Sequence, residues 1–396
     1  MRTDENGRVV NWRLMLKHWW FSQSQLATYT ACRHLWWLKF VLGLEEIERN
    51  KVLGLGSLWH ECMDRLWRAW TGGQAKDLET ALSAAELVVG SLAVGDEKYE
   101  AEVSAKAIGM LVRYLRRWEG PVGTVLCSEQ EVSAYPVIAE GPLSAWSRTN
   151  RVNTRIMGKP DKIVVENGEV WVVEHKSTSM DLQQWRDKHS YSPQAAIYCW
   201  LVMCGWRRLE LLDKSEESKR ALERGVAGIV YDLASTADVA TAEDCVRIKS
   251  GALSKQLPRN LSAEVFSDAV AQAEPADWYE EKRRELEANP PRLFSRYQVR
   301  IDHEEMSRTM AEVAVLAQQA RKIWRVAQDE ARGTLGGISS LDGEMVYRRA
   351  VAQHLRNYGH RYERCESNCW AYNRRCPMMD VCSYRSLESL ETILIP

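Results

Sequence analysis

The chain has 396 residues, 45% of them hydrophobic, enough apolar content for two or three average domains or one core with additions. Its 53 Lys and Arg balance 54 Asp and Glu to a formal net charge of −1, so any surface for a polyanion must be local. There is no run of 18 apolar residues, no apolar signal core at the N-terminus and no GxxxxGK[ST] string. A membrane span, export and an ATP-driven motor are therefore not expected, and a cytoplasmic protein is.

Residues 1–20 read as a polar leader. Ser22 and Gln25 form a capping-box pattern, with Phe21 and Leu26 as a staple, and open a helix that carries Cys32. Residues 54–118 read as helices. Within them Leu55, Trp59, Met63, Leu66, Trp67 and Trp70 make an apolar stripe, and His60 sits at its edge, one residue or about 100° from Trp59. Strands are expected near 124–135 and across 161–176, then a helix through Gln194 and a buried strand at 226–233. The pattern turns polar over 234–291, with a GALSK turn and a charged helix near 277–288. A strand follows from Arg292, and a long helix over 303–332 carries Met310, Val313, Val315 and Leu316 as its stripe. Seventeen tryptophans against four phenylalanines is unusual, but most sit at core spacing. Arginines gather at Arg113, Arg116 and Arg117, at Arg148, Arg151 and Arg155, and along a run from Arg348 to Arg375.

The stretch GKPDKIVVENGEVWVVEHKST carries the chemistry. Asn167-Gly168 between two Val- and Ile-rich runs is the signal of a two-residue type I′ turn. With that turn Glu166 pairs Glu169, and counting outward sets Asp161 opposite Glu174, their Cβ atoms about 5 Å apart. Lys176 shares that face through the strand period of two, while Ile163, Val165, Val170 and Val172 fill it towards the turn. Two carboxylates this close repel unless a cation lies between them. Oxygen donors in such an arrangement suit Mg²⁺ or Mn²⁺. The alternative is a surface hairpin with solvated charges at its end.

On these residues the chain resembles the RecB-like PD-(D/E)XK nucleases, over roughly residues 21–384. The branch it is most similar to is the iron–sulfur one, with AddB-type recombination nucleases and CRISPR-adaptation exonucleases. The resemblance implies an α/β restriction-endonuclease-like core, a mixed central sheet flanked by helices, with helical additions and a cysteine-rich cluster lobe. It implies metal ligation by His60, Asp161, Glu174 and the backbone carbonyl of His175, with Lys176 acting on the attacking water. Gln194 and Tyr198 match a Q-x-x-x-Y helix, and i,i+4 spacing sets them on one face. A further acid of the family matches Glu129, with Glu131 as its rival. The implied layout is a leader (1–20), an N-terminal helix (21–53), a nuclease core (54–233), a variable insert (234–291), a strand and helix packed on the core (292–346) and the cysteine-rich lobe (347–396).

Four of the ten cysteines, Cys365, Cys369, Cys376 and Cys382, fall near the C-terminus, which points to a metal or cluster rather than disulfides. The resemblance implies a [4Fe–4S] cluster held by Cys32, Cys369, Cys376 and Cys382. The spacing C-x₆-C-x₅-C departs from the C-x₂-C-x₅-C of the family, and Cys365 rivals Cys369. A Cys₄ zinc site and reduced thiols remain the alternatives. Cys62, Cys127, Cys199, Cys204 and Cys245 are expected in the core. The function implied is a metal-dependent DNA exonuclease preferring single strands, in recombination, repair or adaptation, with a helicase, recombinase or adaptation protein as partner. The alternative is a non-catalytic, DNA-end-binding iron–sulfur subunit.

Overall fold

The computed structural model describes residues 20–41, 51–71, 97–118, 120–136 and 154–335, except 190–191, 238–239, 241, 259 and 289–291, and two further positions, 353 and 357. The expected leader, Cys365, Cys369, Cys376, Cys382 and the C-terminal arginine run lie outside the described residues. The strands are β1 (Trp20–Ser22), β2 (Thr124–Ser128), β3 (Val132–Ala134), β4 (Arg155–Gly158), β5 (Lys162–Glu166), β6 (Glu169–Thr178), β7 (Val226–Ser235) and β8 (Phe294–Arg300). The helices are α1 (Gln23–Ala31), α2 (Lys51–Thr71), α3 (Glu97–Arg117), α4 (Leu182–His189), α5 (Pro193–Gly205), α6 (Glu216–Arg224), α7 (Ala263–Ala271), α8 (Tyr279–Ala288) and α9 (His303–Leu335). A short turn of helix at Arg33–Trp36 runs into a π turn at Trp37–Val41.

The main sheet has the order β2-β5-β6-β7-β8 and is antiparallel except between β6 and β7. The parallel β6–β7 pair needs a crossover, which α4, α5 and α6 supply. Asn167 and Gly168 both have positive φ, 52° and 77°, as a type I′ turn demands, and the ladder runs from Glu166↔Glu169 to Lys162↔Val173. The register expected from the turn is the register found. A second sheet, β1-β4-β3, was not anticipated.

Alternation along the strands divides two buried layers. Ile163, Val165, Val170, Val172, Ile229 and Tyr231 belong to one cluster with α5 and α9. Val164, Trp171, Val173 and Val230 belong to another with Leu55, Trp59, Met63 and Trp67 of α2 and Met110 and Tyr114 of α3. The tryptophans of α2 are therefore core, as the stripe implied. On α9 the buried stripe is Met306, Met310, Val313, Ala317, Ala320 and Trp324. Val315 and Leu316 are only half-buried. The small alanines continue the seam where larger residues were expected.

Three further expectations are corrected. The strand expected near 124–135 is two strands in different sheets, parted at Glu129, whose φ of 53° ends the extended run. Cys32 does not lie within a helix: it is extended (φ −160°, ψ 109°) between α1 and the next turn, and its Sγ accepts the Leu35 amide at 3.4 Å. Cys204 is exposed near the end of α5, whereas Cys62, Cys127, Cys199 and Cys245 are buried. The polar insert also proves to have its own small core, described below.

Candidate active site

α2 lays its apolar stripe on the sheet and carries His60 to the open end of β5. There His60 Nδ1 lies 3.1 Å from Asp161 Oδ1. The other oxygen of Asp161, Oδ2, accepts the His175 amide at 2.7 Å, so the carboxylate is fixed from a helix and from β6. Glu174 is almost fully buried, as is Asp161. Glu174 Oε1 accepts from Lys176 Nζ at 2.5 Å and from Gln194 Nε2 at 2.9 Å. Its second oxygen, Oε2, is buried without a hydrogen-bond partner among the described residues. Residues singled out in the sequence thus form two contact sets, His60 with Asp161 and Glu174 with Lys176 and Gln194, which act on one another through their charges.

Gln194 arrives because Ser192 caps α5 through the Gln194 amide, with Pro193 in the first turn. Tyr198, one turn on, packs over Gly158: a Cβ there would sit 2.7 Å from Tyr198 Cε1 and 2.8 Å from Leu201 Cδ1. Only glycine lets β4 and α5 approach so closely. Burial first, then the charge of Glu174, pushes the Tyr198 phenol far up, so it stays protonated beside the carboxylates.

Of the two rival acids, Glu129 is the one that lies beside His60 and Asp161. Its carboxylate, with His60 and Asp161, can bring ligand atoms within 4.8 Å of one another, a spacing that suits a shared cation. Its amide donates to Asp161 O at 2.9 Å, and its left-handed backbone turns the side chain inward. Lys159 Nζ holds Glu129 Oε2 at 2.6 Å, while Oε1, 4.0 Å from Lys162 Nζ, has no hydrogen-bond partner among the described residues. Glu131 is exposed.

The electrostatics are those of a site short of positive charge. Burial, then Asp161, raises the Glu174 carboxyl to about 7, against the pull of Lys176. Burial also opposes ionisation of Asp161, but the His60 hydrogen bond and the charges of His60, His175 and Lys176 hold it well below the usual range. Burial lowers Lys176, yet Glu174 and Asp161 outweigh it, so the ammonium stays charged. Burial likewise lowers His60, and Asp161 more than restores it.

Several residues at the site carried no signal that was read from the sequence. Lys162 is fully buried, 3.2 Å from Asp64 Oδ1 and 4.0 Å from Glu129 Oε1. Asp64 lies one helical turn after His60 and also takes Ser128 Oγ and Arg68 Nε. Its i,i+4 relation to His60 was the available clue. The His175 imidazole turns away from the carboxylates, to the opposite face, where Nδ1 sits 3.3 Å from Asp232 Oδ2 and the ring meets Trp67 edge-on. Only the peptide of His175 is thus directed at the site. Of the expected cluster ligands, Cys32 alone falls among the described residues.

The donor set of oxygens and one imidazole, with buried oxygens left unpaired, fits a hard divalent cation. No curated protein matches the chain. The model of the PD-(D/E)XK nuclease superfamily matches residues 20–383, and the mixed sheet flanked by helices is the fold that superfamily requires. A match over most of its length, on this sheet and with these acids at its end, makes the chain a member of the PD-(D/E)XK nuclease superfamily.

Proposed function

We propose that the protein is a divalent-metal-dependent deoxyribonuclease, acting as an exonuclease on single strands. The observation that carries this reading is two buried acids at one end of the sheet, Asp161 held by His60 and Glu174 held by Lys176, each acting on the other's charge, with Glu174 Oε2 lacking a hydrogen-bond partner among the described residues. A buried carboxylate is costly unless its charge is met, and a bound cation would meet it here. His60, Asp161 and Glu174, with the His175 carbonyl and Glu129, would hold Mg²⁺ or Mn²⁺. Such an ion polarises a phosphoryl oxygen and lowers the pKa of water.

The chain's own groups do the rest. Asp161 is oriented by His60 and the His175 amide, so its lone pairs are fixed before substrate arrives. Gln194 pins one oxygen of Glu174 and leaves the other free. Lys176 Nζ orients the attacking water and offsets the negative charge that grows on the phosphorus centre. In Lys176→Ala, cleavage of an end-labelled single-stranded oligonucleotide with Mg²⁺ or Mn²⁺ should fall at least ~10³-fold, with the fold and strand binding retained. Undiminished cleavage by that variant rejects the assignment. A DNA-end-binding subunit without catalysis would show no metal-dependent cleavage in the wild type either.

We further read Cys32, Cys369, Cys376 and Cys382 as ligands of a structural [4Fe–4S] cluster. The support is the sequence crowding of the last three and the half-buried thiol of Cys32 at a helix break. Anaerobically purified protein should be brown with broad visible absorption; a colourless protein binding zinc overturns this reading.

A further inference from the structure

The insert between β7 and β8 is a lobe with its own core of Ala240, Cys245, Leu253, Leu261, Phe266 and Tyr279. It springs from the catalytic end of the sheet. Lys176 pairs Leu233, β7 ends two residues later, and Thr236 N then bonds Thr178 O at 2.8 Å. The lobe carries a small hairpin. Arg247 pairs Leu253, Ile248 N bonds Ala252 O at 2.8 Å, and Gly251 N closes the loop onto Ile248 O at 2.9 Å. Gly251 has φ 87°, and a Cβ there would lie 2.7 Å from Glu274 Cγ. Tyr279 OH accepts the Leu253 amide at 2.6 Å and donates to Glu274 O at 3.0 Å. A three-residue loop ending in such a glycine is a rigid hairpin, here clamped from behind.

What the hairpin offers is unusual for this molecule. Among the described residues five large apolar side chains are exposed, and two of them are Val246 (63%) and Ile248 (52%). Two residues apart in an extended run, they share one face. Charge is segregated as well. Across residues 242–288 acids outnumber bases ten to seven, yet 245–260 holds Arg247, Lys249, Lys255 and Arg259 and no acid. Arg247, Lys249 and Lys255 are exposed, Arg247 reaching Gln272 Oε1 at 3.3 Å, while the exposed acids Glu243, Asp244 and Glu274 border the run. Within the lobe, the longest stretch that offers a polyanion cations without an intervening acid is this hairpin and the residues just after it.

We propose that the hairpin and its exit, residues 246–255, are a contact site for an unpaired nucleic-acid strand feeding the carboxylate site, with Arg247, Lys249 and Lys255 on phosphates and Val246 and Ile248 against bases. A duplex hides its base faces, whereas an unpaired strand presents them to aliphatic side chains. The proposal rests on the nuclease reading above and deepens it by giving the strand preference a physical source.

The test uses the full chain and a fluorescent 30-nucleotide single strand, read by anisotropy without divalent metal and by cleavage with Mn²⁺. In Arg247→Ala/Lys249→Ala/Lys255→Ala, affinity at 150 mM salt should fall roughly tenfold or more. The slope of log K against log salt should shrink by about 2, at ~0.7 per phosphate contact on a single strand. The rate at saturating strand should stay within twofold. Lys214→Ala/Lys219→Ala/Arg220→Ala, which removes equal charge beside α6, should leave binding and slope unchanged. Val246→Ser/Ile248→Ser should lower the preference for the strand over its blunt duplex at least threefold. An unchanged slope in the first variant, or an equal loss in the α6 variant, overturns the proposal. A wild type that binds through the hairpin but does not cleave defeats the nuclease reading and leaves the hairpin standing.

Discussion

Two buried acids stand one residue apart on neighbouring strands and have opposite fates. Glu174 of β6 pairs Tyr231 of β7, and the next pair is His175 with Asp232. The alternation of the strands sends Glu174 to one face of the sheet and Asp232 to the other. Both are almost wholly removed from water. Asp232 Oδ2 accepts the Tyr114 hydroxyl and lies 3.3 Å from Arg296 Nε, and Arg296 in turn donates to Tyr114 OH at 2.6 Å. The guanidinium also lies 4.4 Å from the centre of the Trp118 ring. Burial raises Asp232, but the His175 contact, Arg296 and Tyr114 together hold its carboxyl below the ordinary range. Glu174 has Lys176 beside it and the weaker pull of His60, both shared with Asp161, and burial and Asp161 still raise its carboxyl to about 7. An acid matched by the protein's own cation is architecture; an acid left short of one is prepared for a cation from outside.

The sharpest way to break this comparison is to remove each acid in turn. Asp232→Ala strands the Arg296 charge in the interior and should lower stability by about 3–5 kcal/mol in urea denaturation of metal-free protein. Glu174→Gln should do the reverse. Its folded carboxyl is raised, so the protonated form belongs to the folded state. The stability it contributes is whole below about pH 4.5 and is lost as pH rises through about 7. At pH 8 metal-free Glu174→Gln should exceed the wild type by on the order of 3 kcal/mol, and the gap should close near pH 4. Added Mn²⁺ should stabilise the wild type and not the variant. If both substitutions destabilise alike at pH 8, the two faces are not different in kind.

How much of this could be seen in the sequence follows from the range of each contact. Asn167-Gly168 fixes a register by local turn chemistry, and that register carries Asp161 to Glu174 without knowledge of the rest. The stripe of α2 and the i,i+4 pair on α5 are likewise local patterns. Asp232 was invisible because its partners come from α3 and β8, and the β6–β7 pairing is a parallel crossover that no short string specifies. Lys162 read as a strand residue among apolar neighbours, and its buried contact with Asp64 needs α2 to be laid on the sheet. The break at Glu129 was equally hidden, since nothing in a glutamate announces a left-handed backbone. The lobe core escaped notice because its apolar residues are scattered thinly through a polar stretch.

The smallest effect concerns the acid that stands between these two conditions. Glu129 has one oxygen on Lys159 at 2.6 Å, and the other, 4.0 Å from Lys162 Nζ, has no hydrogen-bond partner among the described residues, so it is only partly matched. Burial, then Asp161, raises its carboxyl against the pull of Lys159 and Lys162. An ion placed among His60, Glu129 and Asp161 must compete with Lys159 for this group, so its contribution to affinity should be partial. Glu129→Gln is expected to raise the Mn²⁺ concentration for half-maximal cleavage by about 10–100-fold, the range seen when groups supporting a metal are removed. At saturating metal the rate should recover to within severalfold. Glu131→Gln, on an exposed side chain two residues away, should leave the metal titration unchanged. Equal curves for both variants would confine the ion to Asp161, Glu174 and His60, and would make Glu129 part of the matched architecture, with Lys159 as its cation.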